Sequence, residues 1–383
     1  MSRYELAPVP HIVAGQGSRD SLGALAASLA GSNGKALLVA DPGLRAIGII
    51  DEVRSALAKS MGAVEVFSAF SGDPTIAQTD AAAHLARQSG AGVVVALGGG
   101  SGLDLGKAVA AIAGESGSAL DYELGKRAFP ASRLPVICVP TTSGTGSETT
   151  RTSILTRADG AKTWLWGNAM RAAEVVLDPE LTVALPAELT AGTGVDALVH
   201  AVEAATNRYA NAANNLYAHA AIGLVARHLE RAVSHPKDIA AREGMQRAAM
   251  LAGIAIDNGS TGIAHNIGHA MGSLRKIHHG RAVAVGLLAA LPWNTEKDDG
   301  RYAACATAMG ADSSAAGFID AYERLLRACG LKISVKEEFA GISPATLAEQ
   351  MARPENASMR ETNLRLASDA ELLHLAKRVL SQA

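Results

Sequence analysis

Four of the eleven histidines in this 383-residue chain fall between residues 265 and 279. His265 and His269 stand four apart in Ala264-His-Asn-Ile-Gly-His-Ala270, and His279 follows in Ile277-His-His-Gly280. Asp196 and His200 share that interval in Val195-Asp-Ala-Leu-Val-His-Ala-Val-Glu203, where apolar residues recur at helical spacing, so both project from one helix face. One carboxylate with three imidazoles offers mixed oxygen and nitrogen donors, suited to a divalent first-row ion such as Fe²⁺, Zn²⁺, Mn²⁺ or Ni²⁺. With four protein ligands, a substrate oxygen or an activated water takes a fifth position. The candidates outnumber the places, so His269 or His278 does something else, such as relaying a proton. Any one histidine taken singly reads as a structural residue; the two i,i+4 pairs with a third element point to a metal.

Two polar turns supply the second kind of chemistry. Val93-Val-Val-Ala-Leu97 runs into Gly98-Gly-Gly100-Ser101-Gly102 and then a helical stretch from Leu103 through Asp104 and Lys107. Strand, glycine turn and helix start make an anion site, because the backbone can approach a pyrophosphate closely and free N–H groups point at it. Neither the Walker pattern nor G-x-G-x-x-G fits, and a tight turn needing positive φ explains the glycines as well. The second turn, Pro140-Thr141-Thr142-Ser-Gly-Thr145-Gly-Ser147-Glu-Thr-Thr150, is dense in hydroxyls for ribose, phosphate or carboxamide, or is a solvated loop. Both turns end a strand-like run, the edge of a parallel sheet where ligands bind. Asp41, ending Lys35-Ala-Leu-Leu-Val-Ala40, is placed to accept both ribose hydroxyls and repel a 2′-phosphate, which favours NAD over NADP; locally it also opens the turn Asp41-Pro-Gly43.

The elements that position these groups change character along the chain. Up to about residue 185, short apolar runs at 35–40, 91–97 and 134–139 alternate with helical patterns at 21–30, 50–59, 76–89 and 103–112, which predicts βαβ units and a parallel sheet. Beyond Leu185-Pro186 strand-like runs become scarce and Ala, Leu, Glu and Arg recur at helical spacing. The expected organisation is an α/β domain over 1–185 and an all-α domain over 186–383.

Composition narrows the function classes. Lys plus Arg is 35 against 37 for Asp plus Glu, a net charge of -2, which gives no field for gripping a nucleic acid backbone. Cys138, Cys305 and Cys329 are odd in number and widely spread, so neither a disulfide framework nor a thiolate metal site is indicated, and a reducing cytoplasm fits. No run reaches the ~20 apolar residues of a membrane span, and the first residues lack the apolar core of a secretory signal.

Gly98-Gly-Gly-Ser-Gly-Leu-Asp104, Pro140-Thr-Thr-Ser-Gly-Thr-Gly-Ser-Glu148, the segment Leu185–Ala204 and His265-x3-His269-x9-His279-Gly280 together resemble the iron-dependent (group III) alcohol dehydrogenases, over nearly the whole chain. The resemblance implies a Rossmann-like N-terminal domain, a helical metal domain of the dehydroquinate synthase-like plan, and hydride transfer in a cleft between them, from NAD(P) to an aldehyde or from an alcohol. It implies Asp196, His200, His265 and His279 as ligands of a divalent metal, Fe²⁺ first, with His269 beside the site as the catalytic proton carrier. It also implies cofactor contacts from Asp41, Gly99, Gly100, Ser101, Asp104, Thr141, Thr142, Thr145, Ser147, Lys162 and Leu181, and assembly as a homodimer or larger homo-oligomer. The sequence departs from the family at Gly102 and His278, where proline is common, and at Arg275-Lys276, where many members carry an aromatic residue and neutral neighbours.

Arg275 and Lys276, with Arg151 after the second turn, suggest a substrate bearing a carboxylate, phosphonate or sulfonate; solvated loop charges are the simpler reading. Three other classes compete. A dehydroquinate synthase-like lyase shares the plan and uses NAD and a metal, but regenerates its NAD internally. A metal hydrolase leaves both glycine turns unexplained, and a non-catalytic nucleotide-binding module has no use for the metal cluster.

Overall fold

The structure is a computed structural model that describes residues 4–31 and 34–382. These fall into two compact units: a sheet unit of Pro8–Thr142 and Ser147–Ala184, and a helical unit running on from Leu185, joined by Ser143–Gly146 and the residues up to Ala7. No helix among the described residues is long and apolar enough to cross a membrane.

In the sheet unit the strands are β1 (His11–Ala14), β2 (Lys35–Ala40), β3 (Ala63–Phe67), β4 (Val93–Gly98), β5 (Val136–Pro140), β6 (Thr152–Thr156), β7 (Lys162–Trp166) and β8 (Glu174–Leu177). Six form one sheet in the order β1-β8-β5-β4-β2-β3, every pair parallel, while β6 and β7 form an antiparallel hairpin. Helices α1 (Leu22–Ala30), α2 (Ile49–Ala58), α3 (Ile76–Ser89) and α4 (Gly100–Ile112) complete it. Alternate strand residues face opposite sides of a sheet, and the apolar runs are long enough to bury both sides. On one side Leu38, Val95 and Ile137 pack with Leu22, Ile50, Val53 and Leu57 of α1 and α2. On the other, α4 lies so close to β4 that a methyl on Gly106 would meet Ala96 Cβ at 2.4 Å.

The parallel sheet and the helical remainder match the expected fold class. Two details differ. Helix α4 starts at Gly100, so Gly100 and Gly102 lie in its first turn, while Gly98 ends β4 and Gly99 is the N-cap. The hairpin β6–β7 and the strands β1, β3 and β8, each of four or five residues, were not expected.

The helical unit comprises α5 (Ala187–Thr206), α6 (Ala212–Ser234), α7 (Ile239–Gly259), α8 (Ile263–Leu274), α9 (His279–Thr295), α10 (Arg301–Met309), α11 (Ala315–Ala328), α12 (Pro344–Met351), α13 (Pro354–Thr362) and α14 (Asp369–Ser381). Helix α5 is buried from Thr190 to Thr206 and is surrounded by α6, α7 and α9. A helix apolar all round belongs in a core, so the polar residues on this one need partners there.

Helices α5 and α9 cross at two glycines. A Cβ on Gly280 would lie 2.1 Å from the Gly192 carbonyl oxygen and 3.3 Å from Asp196 Cβ, so only hydrogen fits. Gly280→Ala is expected to push the start of α9, with the adjacent His279, away from α5 and to lower stability by roughly 1–3 kcal/mol. Thermal unfolding checks this, and an unchanged variant would show that the crossing tolerates a side chain.

Candidate metal centre

The largely apolar character of α5 makes the titratable residues buried on it conspicuous. Asp196 and His200 lie on it, 1% and 5% exposed. Helix α8 supplies His265 and His269, and His279 is the first residue of α9. Asp196 Oδ1 stands 3.7 Å from His265 Nε2, 3.7 Å from His279 Nε2 and 4.0 Å from His200 Nε2. The His200 and His265 rings stack with centroids 4.4 Å apart, and the His269 ring meets His279 edge-on at 5.4 Å.

Four donors bound tetrahedrally at ~2.1 Å would be about 3.4 Å from one another. The three spacings from Asp196 Oδ1 are a few tenths wider, too long for hydrogen bonds and suited to a cation, and the ligand atoms of Asp196, His265 and His279 all lie within 4.8 Å of one another. Asp196 Oδ1 and His265 Nε2 are buried without a hydrogen-bond partner, an arrangement that burial penalises unless something else occupies the space. The donor set therefore fits a divalent metal.

Electrostatics agree. Burial alone would raise the Asp196 carboxyl, but the imidazoles of His200, His279 and His265 outweigh it and hold the group well below the usual carboxylate range. Burial pushes His200 down to about 4, keeping it neutral and able to bind a cation. His265 is opposed by burial, yet the carboxylates of Glu203 and Asp196 drive it up to about 9.

In the sheet unit the predicted turns share one edge. Asp41, the Gly98–Ser101 turn and Thr141–Thr142 follow the adjacent strands β2, β4 and β5. Gly98 has φ +152°, and a side chain there would meet Asp41 Cβ at 3.1 Å; one on Gly99 would meet Thr142 Cγ2 at 3.2 Å. Gly99 is the N-cap of α4 and gives its first turn no side-chain hydrogen bond. Asp41 Oδ1 accepts from Gly43 N at 2.9 Å. Asp104 accepts from Ser147 Oγ at 2.5 Å and from Ile154 N at 2.9 Å, tying the second turn to α4.

The remaining expected residues lie on other elements. Lys162, on β7, bonds Asp73 Oδ2 at 2.5 Å, Leu181 packs into the sheet unit's core, and Thr145 belongs to the helical unit. Arg151 lies over the Trp166 ring at 5.3 Å, and Arg275 and Lys276 are exposed just past the C-terminal end of α8.

Two family models cover almost the whole chain: iron-containing alcohol dehydrogenase over residues 9–179, and the C-terminal domain of the Fe-containing alcohol dehydrogenase family over 190–380. The chain belongs to the iron-containing alcohol dehydrogenases. It is 34% identical over 318 residues to choline dehydrogenase of Bacillus subtilis (strain 168), spanning 82% of this chain and 79% of that one. It is 32% identical over 293 residues to the NAD-dependent methanol dehydrogenase of Bacillus methanolicus, spanning 76% and 77%. Sulfoacetaldehyde reductase from Bifidobacterium kashiwanohense, solved in complex with NAD+, superposes with a TM-score of 0.91 at 27% identity over 100% of both chains. Its chemistry is that of a metal-dependent alcohol dehydrogenase or aldehyde reductase.

The roles of three residues of this iron-containing alcohol dehydrogenase escaped the sequence reading. Glu203, seven residues after Asp196 on α5, has Oε2 2.5 Å from His265 Nδ1. Lys107 is fully buried inside the second turn. Glu148 in that turn is fully buried, and desolvation raises its carboxyl to about 7 against the partial offset of Lys107.

A folded-state value above the ordinary 4.5 means the fold binds that proton more tightly than the unfolded chain does. Stability from this group is present below pH 4.5 and lost as pH rises through about 7. Wild type should lose about 3 kcal/mol across that window relative to Glu148→Gln. Parallel denaturation curves for the two proteins between pH 4.5 and 7.5 would contradict it.

Proposed function

We propose that this protein is an NAD-linked, iron-dependent enzyme interconverting a small alcohol and its aldehyde, with Asp196, His200, His265 and His279 holding the cation. The observation that carries the reading is the convergence of three imidazole Nε2 atoms on one buried carboxylate oxygen. When bound, the cation supplies Lewis acidity to the substrate oxygen, and the dinucleotide accepts or donates the hydride.

The chain's own part is to hold, orient and move a proton. N–H groups at Gly99, Gly100 and Ser101 bind the pyrophosphate, and the Asp41 carboxylate accepts from the ribose hydroxyls and repels a 2′-phosphate. Asp104 orients Ser147, and Thr141, Thr142, Thr145, Lys162 and Leu181 complete the cofactor contacts. His269, beside His279, takes the substrate's hydroxyl proton on an imidazole nitrogen during oxidation and returns it during reduction. The named NAD dependence of the Bacillus methanolicus relative and the NAD+ complex of the Bifidobacterium reductase support the choice of cofactor. The three buried free thiols suit a reducing cytoplasm, and we place the enzyme there as a homodimer or larger homo-oligomer.

The substrate we propose carries an anionic group. Arg275 and Lys276 follow the helix that bears His265 and His269, Arg151 follows the second turn, and the Bifidobacterium relative is named for a sulfonated aldehyde. Metal analysis with an NADH-linked screen of neutral aldehydes and their ω-carboxylate or sulfonate analogues tests the reading. We expect net NADH consumption, at least ~10-fold preference for the anionic analogue, and loss of that preference in Arg275→Ala. Equal preference in both proteins ends the anion assignment, and absence of net NADH turnover ends the dehydrogenase reading.

A further inference from the structure

Helix α8, which carries His265, begins without a cap of its own. Its N-cap is Gly262, which has no side chain to offer, and the turn before it is held from elsewhere. Ser260 sits at φ +67°, a conformation unfavourable for a residue with a Cβ. The Asn207 amide donates to the carbonyls of Gly259 and Ser260, and Thr362 Oγ1 donates to Thr261 O at 2.6 Å. The N–H groups at the helix start go to side chains from distant segments: Gly262 N to Glu203 Oε2 at 2.8 Å, Ile263 N to Asn363 Oδ1 at 3.3 Å, and Ala264 N to Glu203 Oε1 at 2.6 Å.

Glu203 therefore does two things at once. It caps α8 from α5, and the oxygen that accepts from Gly262 N also faces His265 Nδ1 at 2.5 Å. A carboxylate oxygen only accepts, so Nδ1 must carry a hydrogen; in the neutral ring, the form that binds a cation, the lone pair is then on Nε2, which lies 3.7 Å from Asp196 Oδ1. Three N–H donors converge on two oxygens. An amide cannot replace them: in either orientation its NH₂ group opposes at least one of those donors.

We propose that Glu203 is the positioning residue of the metal centre: it sets the tautomer and ring orientation of His265 and fixes the start of α8 relative to α5. The helix that supplies two ligands thus also locks the helix that supplies a third. This rests on the metal reading given above. Partners of this kind, behind a ligand, typically change metal affinity 10–100-fold when removed.

The test is Zn²⁺ titration of the metal-free full-length protein against a competing chelator, for wild type, Glu203→Gln and Glu203→Ala, with circular dichroism of each. We expect both variants to bind Zn²⁺ at least ~10-fold more weakly than wild type, with helical content retained. If wild type itself fails to bind Zn²⁺, the metal reading falls. If wild type binds and the folded variants bind equally well, the role of Glu203 alone is overturned. Should neither variant fold, ¹⁵N spectra of zinc-loaded wild type decide. The proposal requires His265 protonated at Nδ1 with Nε2 on the metal, and the reverse arrangement refutes it.

Discussion

His265→Ala is expected to lower turnover by at least ~10³-fold while leaving NADH binding within about twofold of wild type. The first half follows from the work asked of the cation, which supplies several kcal/mol of charge stabilisation at the reacting oxygen, about 1.4 kcal/mol per tenfold in rate. Removing His265 takes away one of the imidazoles around Asp196 Oδ1 and the ring through which Glu203 reaches the site. The second half follows from chain geography: His265 lies in the helical unit, whereas Asp41, the glycine turn and Asp104 belong to the sheet unit. His200→Ala should behave alike, since it stacks on His265 and shares Asp196. Steady-state rates with NADH fluorescence titration check both. Full turnover in either variant would show that the imidazole cluster is not the reacting centre, and a parallel loss of NADH binding would show that the two functions are not separable.

Lys107→Met should destabilise the protein by roughly 3–5 kcal/mol, the range for breaking a buried charge pair by removing one partner. The side chain is fully buried, and its ammonium donates to the carbonyls of Ser147 at 2.8 Å and Thr152 at 2.5 Å. It also reaches the Thr150 hydroxyl at 3.3 Å and Asp104 at 3.2 Å. Methionine fills much of the volume but donates nothing, so buried carbonyls are orphaned and Asp104 keeps a charge without its cation. Because Asp104 in turn holds Ser147 and the Ile154 amide, the second turn should loosen and NADH affinity should fall at least ~10-fold. Metal content should be unchanged. Denaturant unfolding, NADH titration and metal analysis together test this, and stability within about 1 kcal/mol of wild type would mean that the turn does not depend on the lysine.

What was legible in the sequence was whatever repeats at a fixed local interval. Asp196–His200 and His265–His269 announce themselves by helical spacing, and Asp41 and the two turns by ending apolar runs on adjacent strands. Lys107 was named in the glycine-turn helix, but its burial was not legible, because only packing by the second turn encloses it. Glu203 carried a weak signal: three residues past His200, it lies near the ligand face of α5. Its meaning depends on Gly262 and His265, about sixty residues away, which no local pattern connects. Glu174-Val-Val-Leu177 and the β6–β7 hairpin are too short for periodicity to separate from loop, and pairing with neighbours makes them strands. The glycines at 100 and 102 read as a turn, yet both lie in the first turn of α4, and at Gly102 a Cβ would meet the Leu97 carbonyl oxygen of β4 at 3.0 Å. For Arg275 and Lys276, exposure makes charge alone a poor guide to contact, so their role is a question for substrates.

The central claim is a single cation held by one carboxylate and three imidazoles. Anomalous diffraction at the iron edge from Fe²⁺-loaded crystals tests it most directly. The account predicts one strong peak within about 2.4 Å of Asp196 Oδ1 and of the Nε2 atoms of His200, His265 and His279. A metal-loaded crystal with no peak there, or with its peak on other residues, would contradict it.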